Sequence, residues 1–322
     1  MGQVVRIGVF PFIACVTNPL PILAIVGVTG SGKNELAQEV ARRTGASLIS
    51  VDSRKVYRGM DIGTAKPSPG AIREFDYGMI DCADPREYFS AARFASEARA
   101  IVGERLNSGN PVIMVGGTGF YLDAFIFGLA ELPEITDETR SQFNTDTEER
   151  GWEAIAEEAR SVDPEFMADV HPGDKTRVRR VIEVWMQSGQ RISDLLSKQT
   201  LTPCPWDVHV VWPMIERQIA IDRIEKRVDK MRAAGLTDEV RGLLSSGIPT
   251  TAPGLATVGY QEIVSYLEGK IPENNAYERI VINSRRYAKR QSTWFRHRSY
   301  VRALESYPVV PEDIINLWKP VS

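Results

Sequence analysis

The fold is decided by the stretch Pro21-Ile-Leu-Ala-Ile-Val-Gly-Val-Thr-Gly-Ser-Gly-Lys33. An apolar, β-branched run leads directly into Gly27-x-x-x-x-Gly32-Lys33, and a helical pattern of apolar residues follows. A strand, a glycine-rich loop and a helix in that order form a P-loop, in which backbone N–H groups at a helix N-terminus surround phosphate oxygens. A merely structural turn would not need these flanking elements. The predicted diphosphate- or nucleotide-binding residues are Gly27, Val28, Thr29, Gly30, Ser31, Gly32, Lys33 and Asn34.

This loop departs from the usual pattern at the position after the lysine. That position normally holds Ser or Thr, whose hydroxyl binds Mg²⁺, but here it holds Asn34. We expect Mg²⁺ as a cofactor near Ser31 and Asn34, in a geometry that differs from the usual one because an amide oxygen replaces a hydroxyl. The next apolar run, Pro111–Val115, leads into Gly116-Gly-Thr-Gly119 rather than into the metal-binding Asp of a nucleotide hydrolase.

Composition limits the class of protein. The 322 residues are 43% apolar and 25% charged, which is ordinary for a globular chain long enough for an α/β domain plus an insertion. The formal net charge of −3 argues against a uniformly basic nucleic-acid binder but allows local basic patches. Cys15, Cys82 and Cys204 are isolated, so the sequence indicates neither a disulfide framework nor a zinc site.

The first twenty residues contain a short apolar run, Val9–Val16, interrupted by Pro11. It faintly resembles the apolar part of a signal peptide, but it lies almost directly before the P-loop strand. We therefore expect residues 1–20 to be a disordered extension rather than a targeting segment. Since no run of about 18 apolar residues occurs, we expect no membrane span, and a reducing cytoplasm fits the cysteine pattern.

Strand-like and helical patterns alternate along most of the chain, which predicts an α/β fold with a parallel sheet flanked by helices. The predicted strands are Ile22–Val26, Ala46–Val51, Val112–Val115 and Val208–Trp212. From 132 to 202 the strand signals vanish and amphipathic patterns replace them, so we predict an all-helical insertion there. The core is then 21–131 and 203–310, with 311–322 as a C-terminal tail. After Pro213 we expect the chain to stay helical.

A basic stretch lies near the C-terminus. Between Arg279 and Arg302 there are eight Lys or Arg residues and no Asp or Glu, with aromatic residues interleaved. Such a run is often only a solvated face. Without acids to balance it in an otherwise acidic protein, a polyanion-binding surface explains it better.

Five segments together identify a family. They are the P-loop itself, Ile49–Pro67, Val115–Leu122, Val258–Tyr260 and Ala288–Arg296. In order and in sequence they closely resemble the tRNA dimethylallyltransferases, also called tRNA isopentenyltransferases, over about residues 21 to 300. The resemblance implies transfer of a dimethylallyl group from its diphosphate to N6 of adenosine 37 in tRNAs that read codons beginning with U. It implies the tRNA anticodon stem-loop and dimethylallyl diphosphate as partners, no membrane, and a monomer.

The resemblance also implies roles for particular residues. Asp52, expected at the end of a strand beside the P-loop strand, is the implied general base, although an Asp there could instead cap the next helix. Thr118 matches a threonine near the bridging oxygen of the diphosphate. Arg223 matches an arginine that clamps the diphosphate, although a surface helix would also place an arginine there.

The implied tRNA-contacting residues fall in four segments, one of them on the predicted insertion. They are Asp52, Ser53, Arg54, Lys55, Thr176, Arg177, Val178, Arg179, Arg180, Tyr260, Arg285, Lys289, Arg290, Gln291, Trp294 and Arg296.

Three other functions remain open from the sequence. An adenylate isopentenyltransferase would use the same prenyl donor on free AMP, ADP or ATP, but would need neither the basic stretch nor the insertion. A small-molecule P-loop kinase is disfavoured by Asn34 and by the Gly-Gly-Thr loop. A tRNA-binding protein without catalysis is disfavoured by the presence of Asp52 and Thr118.

Overall fold

A computed structural model describes residues 21–171, 173–305 and 308–318. The extension predicted for residues 1–20 lies outside this range. The described residues form two compact units, one within 21–126 and 203–318 and the other within Phe127–Thr202. Within the described residues, no helix is long and apolar enough to cross a membrane.

The first unit is built on a five-stranded parallel sheet. Its strands are β1 (Ile22–Val26), β2 (Ser47–Val51), β3 (Val112–Gly116), β4 (Val208–Pro213) and β5 (Val301–Leu304). They lie in the order β2-β3-β1-β4-β5, and all neighbours are parallel. The three strands at the β2 side are buried along their whole length, which explains why their sequences are continuous apolar runs rather than alternating ones.

Helices make up most of the remaining chain. They are α1 (Lys33–Thr44), α2 (Pro69–Glu74), α3 (Ala91–Asn107), α4 (Gly119–Phe127), α5 (Asp137–Arg150), α6 (Trp152–Val162), α7 (Pro164–Met167), α8 (Lys175–Ser188), α9 (Ile192–Ser197), α10 (Arg217–Ala233), α11 (Leu236–Ser245), α12 (Tyr260–Leu267), α13 (Glu273–Arg296) and α14 (Pro311–Trp318). The predicted α/β class with a parallel sheet is confirmed.

The second unit is helical in its described residues, from α5 to α9. Its own apolar core includes Phe143, Ile155, Val178 and Ile182, contributed by α5, α6 and α8. The all-helical segment predicted at 132–202 falls within this unit.

Two expectations need correction. The chain does not stay helical after Pro213, because Val301–Leu304 forms β5 beside β4. Its two middle residues are exposed, so the segment lacks the apolar run that marks the other strands. The order of strands also places β3 between β1 and β2, so Asp52 follows a strand two places from the P-loop strand rather than beside it.

The predicted tail at 311–322 contains a helix. In α14, Ile314 and Trp318 are buried in the same core as Val40 of α1, and Trp318 Nε1 donates a hydrogen bond to the Pro21 carbonyl at 2.7 Å. This contact fixes the chain just before β1.

Candidate active site

The register of the sheet brings three loops to one edge. Val26 of β1 and Val51 of β2 both lie opposite Gly116 of β3. The residues that follow these strands, Gly27, Asp52 and Gly117, therefore leave the sheet at the same level. The carboxyl edge of a parallel sheet is where ligands bind in open α/β folds.

The glycine-rich loop has the backbone that an anion site requires. Gly30 and Gly32 have φ of 82° and 83°, a region that only glycine enters readily. Gly32 is the N-cap of α1, so the unpaired N–H groups and the positive end of the helix dipole point to the loop. The sequence prediction of a P-loop geometry agrees with these features.

Lys33 is the first residue of α1, where the loop ends, and its Nζ donates to the Val28 carbonyl at 3.1 Å. Burial, with a contribution from the positive charge of Lys55, lowers the pKa of Lys33 to about 8. The negative charge of Asp52 acts in the opposite direction. The ammonium group is therefore poorly solvated and gains from a bound anion.

A cavity of about 280 Å³ opens beside the loop. It is lined by five cationic side chains, by polar groups and by an apolar wall. The cations are Lys33, Arg54, Lys55, Arg227 and Arg290, and the apolar wall includes Ile224, Val228, Met231, Val258 and Ile280. Asp52 is the single carboxylate among the described residues that line it. Such a lining suits a ligand with an anionic group and an apolar group.

Asp52 directly follows β2, and its Oδ1 accepts a hydrogen bond from the Arg54 N–H at 2.9 Å. Its charge acts on Lys33, Lys55 and Arg227 alike, raising the pKa of each against the lowering effect of burial. The carboxylate is therefore surrounded by cations yet lines the cavity. That position is open to a proton-donating substrate.

Thr118 is placed beside Asp52 by the loop after β3. Its N–H donates to the Val51 carbonyl at 3.2 Å, and its Oγ1 accepts from the Ser53 N–H at 3.0 Å. The side chain of Tyr287 on α13 also lies next to Thr118. The structure thus brings together Asp52, Ser53 and Thr118, as the resemblance implies.

Two arginines of α10, Arg223 and Arg227, lie one turn apart near the glycine-rich loop, and they differ in exposure. Arg223 is the arginine predicted to clamp the diphosphate. Arg223 is exposed, with its Nη1 donating to the Ser31 carbonyl at 3.3 Å. Arg227 lines the cavity and donates to Thr29 Oγ1 at 3.0 Å. Reasoning from the sequence missed Arg227. The signal was present in the spacing of four residues, which places both arginines on the loop-facing side of the helix.

The basic stretch is partly neutralised by acids from other elements. Arg285 forms an ion pair with Glu225 of α10, and Arg298 donates to Asp123 of α4 at 2.9 Å. The expectation that no acids balance this stretch is therefore wrong, because distant parts of the chain supply them. Lys289, Arg290 and Arg296 are exposed on α13, where they can face a polyanion.

Four residues predicted to contact tRNA have buried side chains. These side chains are not on the surface where RNA could reach them, contrary to the prediction. They are Lys55, Val178, Tyr260 and Gln291. Val178 is part of the core of the second unit. Lys55 lines the cavity and so lies where an anion would bind. Gln291 joins two loops, as described below.

Tyr260 supports the wall of the cavity. Its hydroxyl donates to Glu239 Oε1 at 2.6 Å, and Glu239 Oε2 accepts from the Ile62 N–H at 2.8 Å and from the Asp61 N–H at 3.0 Å. These bonds hold the loop that continues into Gly63 and Thr64, both of which line the cavity. Tyr260 therefore has a structural position behind the loop.

The remaining predicted residues lie in two places. Trp294 of α13 is half-buried, with the guanidinium of Arg298 4.3 Å from its ring centre. Thr176 and Arg177 are exposed at the start of α8 in the second unit. Arg179 donates to Glu183 at 2.6 Å, and Arg180 donates to the Pro133 carbonyl at 3.2 Å, both within that unit.

The described residues contain no group of three or more His, Cys, Asp or Glu side chains that could hold a metal ion. Asn34 does line the cavity, next to Lys33. An amide oxygen is a suitable ligand for a hard cation, and Mg²⁺ commonly takes one or two protein ligands together with substrate phosphates. The donor set thus fits Mg²⁺ only in company with a phosphate ligand.

Known proteins are similar to this chain along most of its length. Residues 55–298 match the family model described as IPP transferase. The chain is 38% identical over 295 residues to the tRNA dimethylallyltransferase of Geobacter metallireducens, covering 92% of this chain and 95% of that protein. It is 39% identical over 286 residues to the tRNA dimethylallyltransferase of Alkalilimnicola ehrlichii, covering 88% and 90%.

Solved structures show the same likeness. The full-length tRNA isopentenylpyrophosphate transferase from Bacillus halodurans aligns with a TM-score of 0.65 at 32% identity, covering 92% of this chain and 94% of that one. A eukaryotic dimethylallyltransferase acting on tRNA aligns with a TM-score of 0.69 at 23% identity, covering 85% and 69%. At that identity the second alignment is evidence for the fold alone.

Proposed function

Because the chain belongs to the IPP transferase family, we propose that it transfers a dimethylallyl group from dimethylallyl diphosphate to N6 of adenosine 37 in tRNAs that read codons beginning with U. The products are N6-(dimethylallyl)adenosine and diphosphate. The observation that carries the proposal is a single carboxylate, Asp52, among the cations that line a partly apolar cavity. The cations suit the diphosphate, the apolar wall suits the prenyl group, and the carboxylate suits proton removal.

Asp52 acts as the general base. The exocyclic amine of adenine is a weak nucleophile because its lone pair is delocalised into the ring. As N6 forms a bond with C1 of the prenyl group, the C1–O bond to the diphosphate breaks and Asp52 takes the N6 proton. A carboxylate within reach of the reacting nitrogen contributes about 10²–10⁴-fold to such a step.

The diphosphate gains negative charge as it leaves, so donors directed at it act in the transition state. Lys33, Arg227 and the N–H groups of the glycine-rich loop are the candidates that lie nearest the cavity. Thr118 and Arg223 are further candidates by resemblance to the family. Mg²⁺, held by Asn34 and the diphosphate, would add charge neutralisation when bound.

The acceptor base must leave its stack to reach a carboxylate that lies inside a cavity. Single-stranded loops allow this, since their bases can be splayed out and held on aromatic or guanidinium planes. The exposed cations Lys289, Arg290 and Arg296 of α13 are suited to the phosphates of an anticodon stem-loop. Thr176 and Arg177 of the second unit are further candidates.

We also propose that the enzyme acts as a monomer in the cytoplasm. The family resemblance supports the monomer, and the isolated cysteines Cys82 and Cys204 support a reducing compartment. Light scattering on a size-exclusion column tests the first point, with a mass near 35.9 kDa expected.

One experiment separates this function from transfer to a free nucleotide. An anticodon stem-loop RNA with adenosine at position 37, the same RNA with guanosine there, AMP and ATP are each incubated with labelled dimethylallyl diphosphate. We expect labelled N6-(dimethylallyl)adenosine, identified by nucleoside mass spectrometry, from the first RNA alone. Efficient transfer to AMP without transfer to the RNA would replace the proposal with an adenylate isopentenyltransferase.

A further inference from the structure

One face of α13 contacts three successive residues of the loop after β3. Tyr287 lies next to Thr118, Gln291 donates to the Gly117 carbonyl, and the Trp294 indole packs on Gly119. These three side chains are spaced by four and three residues, which places them on the same side of a helix. Helix α13 therefore lies along this loop rather than crossing it at one point.

Gln291 is the most constrained of the three. Its Oε1 accepts from the Thr29 N–H of the glycine-rich loop at 2.8 Å, and its Nε2 donates to the Gly117 carbonyl at 2.9 Å. The side chain is 7% exposed, so these bonds are shielded from water. A Cβ at position 117 would overlap Nε2 of Gln291, so a larger residue there would displace this amide. One amide thus joins the loops that follow β1 and β3.

The two joined loops lie next to groups of the cavity. Thr29 of the glycine-rich loop lines the cavity, and its Oγ1 accepts from Arg227 at 3.0 Å. Gly117 directly precedes Thr118, whose Oγ1 accepts from the N–H of Ser53, the residue after the cavity-lining Asp52. Fixing the backbone at Thr29 and Gly117 therefore constrains the glycine-rich loop and the segment that carries Asp52.

The opposite side of α13 is exposed and basic. Lys289 lies two residues before Gln291 in the sequence, yet it is exposed while Gln291 is buried. Arg290 is exposed as well, but it reaches the cavity. Two nearby side chains of this helix therefore lie in different surroundings. The Lys289 ammonium is available to a polyanion, and the Gln291 amide is hydrogen-bonded to the two loops.

We propose that Gln291 is a positioning residue that holds the glycine-rich loop in its diphosphate-binding form, and that it has no contact with RNA. The RNA part rests on the proposed function, whereas the diphosphate part requires only the loop geometry. Loss of both hydrogen bonds leaves the partly buried Thr29 N–H and the buried Gly117 carbonyl unpaired, which a reorganised loop would relieve. The diphosphate then has to restore the loop when it binds.

The test measures two affinities for each variant of the full-length protein. Calorimetry with inorganic diphosphate and Mg²⁺ gives the first, and fluorescence anisotropy with a labelled anticodon stem-loop RNA gives the second. Gln291→Met removes the amide at similar length, and Gln291→Asn keeps the amide but is one methylene too short to join both loops. We expect diphosphate affinity to fall about tenfold in both variants, in line with two buried hydrogen bonds, and RNA affinity to stay within twofold of wild type.

Lys289→Gln is the matched control because it alters the same helix two residues away. We expect it to weaken RNA binding and leave diphosphate affinity unchanged. The proposal is overturned if the Gln291 variants bind diphosphate like wild type, or if they weaken RNA binding as Lys289→Gln does. If no variant and no wild-type protein binds the RNA, the proposed function fails, while the diphosphate measurement still decides the role of Gln291.

Discussion

The guanidinium of Arg227 donates to the hydroxyl of Thr29, so a cation from α10 is fixed onto the glycine-rich loop at 3.0 Å. Arg227 is half-buried, and desolvation is the chief cause that lowers its pKa. A poorly solvated guanidinium is stabilised by an anionic ligand. Arg227 therefore ranks above Arg223 as a candidate diphosphate ligand.

This ranking gives a direct comparison. Arg227→Met is expected to weaken diphosphate binding by about 10- to 100-fold, the size of a lost charged hydrogen bond in a buried site. Arg223→Met, one turn away and exposed, is expected to have a smaller effect. Calorimetric titration of both variants with inorganic diphosphate measures the difference. Equal losses, or a larger loss for Arg223→Met, would contradict the ranking.

Replacement of Asp52 tests the proposed base. Asp52→Asn keeps the shape of the side chain but cannot take a proton, so we expect single-turnover prenyl transfer to slow by about 10²–10⁴-fold. RNA affinity is expected to change little. Because the Asp52 charge raises the pKa of Lys33, its removal lowers that pKa further, so the variant is to be compared with wild type at several pH values below 8. A near wild-type rate would remove Asp52 from the mechanism.

The P-loop and the sheet could be predicted from sequence because their signals are local. A buried parallel strand is a continuous apolar run, and a glycine-rich loop before a helix follows from backbone geometry. The edge strand β5 was not predicted, because its exposed residues Arg302 and Ala303 do not form a continuous buried apolar run. Its pairing with β4 depends on chain segments about ninety residues apart in the sequence.

The site itself was harder to predict, because tertiary packing decides which of its polar side chains are buried and which are exposed. Lys289, Arg290 and Gln291 read as one polar run, and only the packing of α13 shows that the third is inside. The pair formed by Arg285 and Glu225 joins two helices whose sequences give no sign of the contact. The family resemblance matches Arg223 and assigns no role to Arg227, so the sequence did not predict Arg227 as part of the site.

The lowered pKa of Lys33 predicts how donor binding depends on pH. The ammonium group is charged below about pH 8 and loses its proton above it. A diphosphate favours the charged form, so the KM for dimethylallyl diphosphate is expected to rise as pH increases through 8, approaching tenfold per pH unit if only the charged form binds. Lys55, whose pKa burial also lowers, adds to the effect. Steady-state kinetics from pH 6.5 to 9.5 measure the profile.

Lys33→Arg provides the control for that profile, since a guanidinium stays protonated throughout this range. We expect its KM to be higher than wild type at pH 7 but to rise less steeply up to pH 9.5, with the remaining rise due to Lys55. An equally steep rise in KM at the same pH in both proteins would assign the titration to another group.

Tyr260 is expected to affect stability rather than RNA binding. Tyr260→Phe removes the hydroxyl that donates to Glu239 at 2.6 Å and leaves the carboxylate with its backbone partners. A lost hydrogen bond to a charged group lowers the free energy of unfolding by about 1.5–3 kcal/mol. Urea denaturation measures this, with anisotropy on the stem-loop RNA as the second readout. Unchanged stability together with weakened RNA binding would restore Tyr260 as an RNA contact.

The exposed cations of α13 predict the salt dependence of RNA binding. Each phosphate contact releases condensed counterions, so the slope of log K against log salt concentration becomes shallower by about 0.7–0.9 for every contact removed. Lys289→Gln and Arg296→Gln are each expected to produce a change of this size, since both residues are exposed and neither lines the cavity. Arg285→Gln is the matched comparison on the same helix, and it is expected to change the slope less because Glu225 already pairs with Arg285.

Binding titrations from 50 to 300 mM salt, roughly a sixfold range, resolve such slopes. If all three variants keep the wild-type slope, the outer side of α13 is an ordinary solvated surface and the RNA must bind elsewhere.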